Sequence, residues 1–280
     1  MQNSDINKAI QANVRSALAE DIGSGDLTAQ LIPADHPAIA TLIARESAVL
    51  CGRPWFEACF TALDPNTKFQ WQVAEGDDFT ANATLCEISG NARAILSAER
   101  PALNFLQTLS ATASTTRRYV QAIAGTTACI MDTRKTLPGL RVAQKYAVKI
   151  GGGENQRIGL FDGVLIKENH IAAAGSIAAA LTAAQKQTPP GVSIQIEVET
   201  LNELEQALAA GAKLILLDNF DLEQLHAAVQ LTNKRAALEA SGGISFEGIR
   251  AIAESGVDRI SIGGLTKHVQ AVDFSLRVKI

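Results

Sequence analysis

Seven lysines and arginines lie between Asp132 and Glu168 against four aspartates and glutamates, a local balance of +3 in a chain whose formal net charge is -4. The cations are Arg134, Lys135, Arg141, Lys145, Lys149, Arg157 and Lys167. The run is interrupted by glycines and tied to short apolar segments, which is unlike a disordered basic tail. It reads as a site for something anionic built on a scaffold. Arginine can grip a planar carboxylate through two parallel hydrogen bonds, whereas lysine offers a point charge. Arg134, Lys135 and Lys167 fall at the ends of strand-like runs. Arg157 follows Gly151-Gly152-Gly153, a stretch too flexible to hold itself unless a ligand or another chain approaches its backbone. Arg141, Lys145 and Lys149 recur every four residues, and Lys145 and Lys149 read as one solvated helix face.

The acidic candidates are Glu197 and Asp218. They can be helix caps or members of buried ion pairs. Opposite a phosphorylated ligand they could hold Mg²⁺, a hard cation that takes a few carboxylates together with phosphate oxygens and water. Nothing suggests zinc, because no His or Cys cluster is present, and a structural hydrogen bond is the default for His170. Ser241-Gly242-Gly243, and Ser261 with Gly263-Gly264, each close a late strand and are expected to open a helix. Backbone amides there suit a phosphate, and late βα loops are the usual phosphate site of a barrel. Arg100, expected at the start of a helix where a cation opposes the dipole, is either solvated or faces an anion.

The elements that must position these groups fall into two rhythms. Up to about Ile95 the pattern is α+β: a helical start, a turn-rich Glu20–Asp26, strand-like Ala40–Ile43, Lys68–Val73 and Leu85–Ile88, and a short helix from near Pro54. A long helix is predicted from Pro101, suited to a first turn, to about Ile123. Then strand-like Ala128–Met131, Gly163–Ile166, Ser193–Val198, Leu214–Leu217, Ala236–Glu239 and Arg259–Ile262 alternate with helix-like Ile177–Lys186, Leu201–Ala210, Leu222–Leu231 and Phe246–Ser255. Repeated βα implies a parallel sheet. Six units fall short of a closed eight-stranded barrel, leaving an incomplete barrel or an open doubly wound sheet. Alternation puts Asp218 on the face of Leu214 and Leu216, and Glu239 with Ser241. Each strand thus turns polar at its C-terminal end, the edge where parallel α/β folds build their sites.

Composition excludes some functions. A sequence pI near 5.6 argues against a general nucleic-acid binder and for a small anionic ligand. The four cysteines, Cys51, Cys59, Cys86 and Cys129, show no Cys-x-x-Cys spacing and are expected to be reduced thiols in the cytoplasm. No signal peptide and no membrane-spanning run is predicted.

Taken together, the motifs resemble the quinolinate phosphoribosyltransferase family. The resemblance is carried by Glu20-Asp21-Ile22-Gly23-Ser24-Gly25-Asp26-Leu27-Thr28, Glu99-Arg100-Pro101-Ala102-Leu103-Asn104-Phe105, Asp132-Thr133-Arg134-Lys135-Thr136, Leu165-Ile166-Lys167-Glu168-Asn169-His170, Leu217-Asp218-Asn219 and Ser241-Gly242-Gly243-Ile244. It implies an α/β protein with an N-terminal α+β open-faced sandwich domain (1–108, joined by a returning C-terminal segment, 270–280) and an incomplete, seven-stranded α/β barrel (109–269). The alternating Val272, Phe274, Leu276 and Val278 would be the returning strand. It also implies a homodimer in which Arg100 of one subunit completes its neighbour's site. One departure is visible: the family commonly has His where this chain has Gln156, and an amide cannot carry the charge.

The implied reaction is Mg²⁺-dependent transfer of phosphoribose from 5-phosphoribosyl-1-pyrophosphate to quinolinate with loss of CO₂. Arg100, Thr133, Arg134, Lys135, Gln156, Arg157, Lys167, Glu197, Asp218, Ser241, Gly242, Gly243, Ser261, Gly263 and Gly264 would bind substrates, Lys135, Glu197 and Asp218 would act catalytically, and Glu197 and Asp218 would serve the metal. Two other readings of the residues stand beside it. One is a Schiff-base aldolase using Lys167; the other is a paralogous phosphoribosyltransferase or metabolite binder with altered substrate.

Overall fold

The computed structural model describes residues 3–279. Two compact units are formed, the first from Met1–Arg117, Thr136–Gly152 and Leu265–Ile280, the second from Arg118–Lys135 and Gly153–Gly264.

In chain order the elements are α1 (Asn3–Ile22), β1 (Pro37–Ala44), β2 (Ala48–Val49), α2 (Arg53–Leu63), β3 (Lys68–Trp71), β4 (Asp78–Phe79), β5 (Thr84–Asn91) and α3 (Ala92–Ala122). There follow β6 (Cys129–Met131), α4 (Arg141–Ile150), β7 (Gly163–Ile166), α5 (Glu168–Ala174), α6 (Ile177–Gln187), β8 (Ser193–Val198), α7 (Leu201–Ala209) and β9 (Leu214–Asp218). The chain finishes with α8 (Leu222–Thr232), β10 (Ala237–Ser241), α9 (Ile249–Glu254), β11 (Arg259–Ser261), α10 (Gly264–Lys267) and β12 (Phe274–Lys279).

The first unit is built on a four-stranded antiparallel sheet in the order β12-β1-β5-β3. Along β1 the alternation is strict, with Ala38, Ala40, Leu42 and Ala44 buried, as expected where one sheet face meets a core and the other does not. The core beneath it holds Trp55, Phe56, Phe60, Leu42, Leu85, Ile88, Ile95, Leu106 and Leu109. The C-terminal strand foreseen at Val272–Val278 is β12, and it pairs with β1 so that Leu42 faces Leu276 and Ala44 faces Phe274.

The second unit is built on a parallel sheet, ordered β6-β11-β10-β9-β8-β7. All six strands fall where short apolar runs bounded by turn residues predict them. Central strand β9 is buried on both faces through Ile215, Leu216 and Leu217, the habit of a parallel sheet. An isolated parallel bridge also joins Met131 to Glu154.

The structure corrects several expectations. Helix α3 begins at Ala92, not at Pro101, and Pro101 is interior and buried. The apolar spacing Ala92, Ile95, Ala98, Ala102, Leu103 and Leu106 runs unbroken through the proline, so burial of that stripe outweighs the missing N–H donor. Arg100 therefore sits mid-helix and exposed, and the dipole argument does not apply to it. Lys145 is not on a solvated face: it is 0 % exposed, while Lys149 is exposed. Its neighbours Ala143, Gln144, Ala147 and Val148 are buried too, so α4 is enclosed around most of its circumference. Gly151 has a reason internal to the fold. A Cβ there would lie 2.5 Å from the Ala113 carbonyl oxygen and 2.6 Å from Thr116 Cβ, so the turn after α4 requires the missing side chain to approach α3. The late helix expected over Phe246–Ser255 is the shorter α9, and Gly242-Gly243 do not open it, since it starts at Ile249.

Candidate active site

Strand periodicity brings the candidate side chains of the second unit to one edge. Glu197 of β8 lies opposite Leu216 of β9, which lies opposite Glu239 of β10. Two residues further along, Asp218 lies opposite Ser241. Because residues two apart share a face, Leu216 and Asp218 point the same way, as do Glu239 and Ser241. Lys167 follows β7 directly, Ser261 ends β11, and Thr133, Arg134 and Lys135 follow β6.

These groups line one cleft of ≈ 310 Å³: Thr133, Arg134, Lys135, Gln156, Arg157, Lys167, Glu197, Asp218, Ser241 and Ser261 all face it, with Leu165, Leu216 and Glu239. Ten residues picked out from the sequence thus meet in one place. Five do not. Arg100 belongs to the first unit. Gly242 and Gly243 line a separate hollow of ≈ 340 Å³ with Asp221, Ile244 and Ser245. Gly242 has φ +93°, and a Cβ would fall on the Asn219 amide, so this glycine serves the close approach of two loops. Gly263 supports the cleft from behind, where a Cβ would meet Lys135 Cδ at 2.8 Å. Gly264 opens α10, which has four residues.

Four cations and three carboxylates line the cleft, and Lys167 and Arg157 are held in place. Lys167 Nζ donates to both Glu197 oxygens, at 2.9 and 2.7 Å. Arg157 donates to the Gly163 carbonyl at 3.0 Å. Burial pushes its guanidinium below the usual value, the neighbouring Arg134 charge adds to this, and Asp162 opposes it. An arginine stays charged under such pressure, so an anion placed between them would relieve the repulsion between Arg157 and Arg134. Asp218 accepts from the Asn219 amide at 2.9 Å, and Asn219 has φ +57°, a left-handed turn that asparagine tolerates. His170 accepts from the Lys167 backbone N–H at 3.0 Å, the structural hydrogen bond expected of it.

One residue of the cleft wall, Glu239, and one buried behind it, Gln195, escaped the sequence-based candidate set. Glu239 is 0 % exposed, and Gln195 beside it is buried. Gln156 Nε2 donates to Glu239 Oε1 at 2.6 Å and Oε2 at 2.5 Å, and Gln195 Nε2 donates to Oε2 at 3.0 Å. The signal was present in the strand period, since Glu239 precedes Ser241 by two and Gln195 precedes Glu197 by two. Glu239 is legible from the sequence as sharing a face with Ser241 near a polar strand end, but no partner for it is, and Gln195 stands a residue pair deeper than Glu197.

This arrangement, an acid- and cation-lined cleft at the C-terminal edge of a parallel sheet with a separate antiparallel unit, has close counterparts. The family described as quinolinate phosphoribosyl transferase matches in both its parts, the N-terminal domain over residues 26–110 and the C-terminal domain over residues 112–277. The chain belongs to this family. It is 41% identical over 261 residues to a probable nicotinate-nucleotide pyrophosphorylase [carboxylating] of Bacillus subtilis, covering 93% of this chain and 90% of that one. To the chloroplastic nicotinate-nucleotide pyrophosphorylase [carboxylating] of Arabidopsis thaliana it is 40% identical, covering 96% of this chain and 82% of that one. Among solved structures, the nicotinate-nucleotide pyrophosphorylase from Francisella tularensis superposes with a TM-score of 0.93 at 48% identity, covering 98% of this chain and 97% of that one.

Proposed function

We infer that the cleft of the second unit is where quinolinate accepts phosphoribose from 5-phosphoribosyl-1-pyrophosphate, with decarboxylation to nicotinate mononucleotide in NAD biosynthesis. The activity follows from family membership over nearly the whole chain. The observation that supports this cleft as its seat is the convergence of Arg134, Lys135, Arg157 and Lys167 on one space. Quinolinate carries two adjacent carboxylates, and such a dianion leaves water only against matched cations.

Roles follow from chemistry. Arg134 and Arg157 take the carboxylates, with Lys135 and Lys167 supplying further positive charge. As pyrophosphate departs, positive charge grows on the ribose carbon, and the Asp218 and Glu197 carboxylates offset it. Once the ring nitrogen is quaternised, loss of the adjacent carboxylate leaves a carbanion that the positive ring stabilises, and Lys135 or a water returns the proton.

Mg²⁺ fits the donor set in one form. No group of three or more ligating side chains occurs among the described residues, but a metal shared with a diphosphate needs only one or two carboxylates. Asp218 and Glu197 would hold it, and it would neutralise the departing pyrophosphate. Glu197 would then have to relax its hold on Lys167.

The quaternary reading is that the active form is a cytoplasmic homodimer, with Arg100 reaching the neighbouring copy's cleft. Its exposure on α3 supports this. The sheet of the second unit is read as an incomplete barrel within residues 109–269, and residues 1–108 with 270–280 as the open-faced sandwich. The lone bridge at Glu154 would stand for a seventh strand. The aldolase alternative for Lys167 loses ground, because its nitrogen is engaged by both Glu197 oxygens rather than free for a carbonyl.

The test is incubation with quinolinate, 5-phosphoribosyl-1-pyrophosphate and Mg²⁺, following CO₂ release and nicotinate mononucleotide. Product should require all three, and absence of CO₂ with the folded protein would overturn the reading.

A further inference from the structure

Glu239 is a carboxylate with no access to solvent in the wall of a cleft assembled to receive anions. A buried charge there needs a purpose beyond filling space, because desolvation costs several kcal/mol unless hydrogen bonds compensate it. The compensation comes from two amides that also bond each other. Gln156 Nε2 and Gln195 Nε2 both donate to Glu239, and Gln195 Oε1 accepts from Gln156 Nε2 at 3.2 Å. A carboxylate only accepts, so it dictates which way each amide must face. With its nitrogen turned onto Glu239, Gln156 presents its oxygen to its own chain, where Oε1 accepts the Arg157 backbone N–H at 3.3 Å. The Gln156 backbone N–H donates to the buried Asp132 at 2.9 Å. Gln156 is therefore fixed at both its side chain and its backbone, immediately before Arg157.

We propose that Glu239 is a positioning residue for dicarboxylate recognition: through the Gln156 amide it sets the placement of Arg157, and so governs affinity for quinolinate rather than for the phosphoribosyl donor. This rests on the assignment of Arg157 to the quinolinate carboxylates. The charge itself is required. An amide at position 239 offers one acceptor where the carboxylate offers two, so one donor must let go or turn over, and turning Gln156 over takes its oxygen off the Arg157 N–H.

The experiment uses the full chain as wild type, Glu239→Gln, Gln156→Ala and the double variant. Two readouts are taken: quinolinate and donor affinity by titration calorimetry, and backbone amide exchange at Arg157. Glu239→Gln should weaken quinolinate about 10-fold, the scale of one charge-assisted hydrogen bond. Donor affinity should stay within about 2-fold, and the double variant should bind quinolinate no worse than Gln156→Ala alone. Arg157 amide exchange should accelerate about 10-fold in Glu239→Gln. Equal weakening of both ligands, or additive losses, would overturn the proposal. An unchanged Arg157 amide would overturn it whatever the ligand results, since that readout needs no substrate. A wild type that fails to bind quinolinate while Arg157 exchange accelerates would instead count against the dicarboxylate assignment and leave the relay supported. Should Glu239→Gln fail to fold, Gln156→Ala must still show the quinolinate-selective loss, and its failure to do so overturns the relay.

Discussion

Lys167 and Glu197 form a two-point ion pair, with the ammonium 2.9 and 2.7 Å from the two carboxylate oxygens. Glu197 is 10 % exposed and Lys167 43 %, so the acid is the fixed partner and the lysine the one that can turn to a ligand. Before substrate arrives, the pair keeps both charges satisfied. In the proposed reading, quinolinate would compete with Glu197 for the lysine.

Glu197→Gln should therefore release Lys167 and tighten quinolinate binding by a few-fold, under about 1.4 kcal/mol, while turnover falls if, as proposed, its carboxylate offsets the charge on the ribose carbon. Calorimetry alongside steady-state rates would measure both. Weaker quinolinate binding in this variant would contradict the competition.

Asp218→Asn keeps shape and removes charge. Turnover should fall and the Mg²⁺ concentration needed for half-maximal rate should rise, with quinolinate affinity little changed. A metal titration of initial rates tests this, and an unaltered Mg²⁺ dependence would remove Asp218 from the metal side of the site.

If Arg100 acts in a neighbouring copy, Arg100→Ala and Lys135→Ala should each be nearly inactive, yet regain activity when mixed and allowed to exchange subunits. Heterodimers would carry one site lacking both groups and one intact. Activity should approach about a quarter of wild type for random exchange in a two-fold dimer. Exchange confirmed by mass spectrometry without recovery would place the action of Arg100 elsewhere.

Gly151→Ala should destabilise the protein by ~1–3 kcal/mol, since its methyl must push against the Ala113 carbonyl. Thermal denaturation would show a fall of several degrees, roughly 2–4 °C per kcal/mol at this size. An unchanged midpoint would mean that α3 yields freely there.

Much of this was legible because the relevant signals are local. The six parallel strands are short apolar runs between turn residues, and Lys167, Asp218, Ser241 and Ser261 mark the places where they turn polar. What escaped depends on packing between distant segments. Pro101 looks like a helix start until the apolar stripe on both sides of it is seen to be buried. Lys145 looks solvated because spacing along one helix says nothing about what encloses that helix. Gly151 looks like a ligand loop because the sequence cannot show that Ala113 stands against it. Glu239 shares a face with Ser241 at a polar strand end, but what it does appears only when Gln156, 83 positions away, is seen to be held by it.

The last strand of the chain lies beside the first, Phe274 opposite Ala44, and α4 belongs with them although it is encoded between two strands of the parallel sheet. On the ribosome, where N-terminal segments emerge first, the antiparallel sheet must wait for nearly the whole chain before its outer partner exists. Until then β1 carries an unpaired edge, a template for wrong pairing with another nascent chain. Truncations or stalled synthesis short of Phe274 would therefore yield a species prone to aggregate rather than a stable fragment.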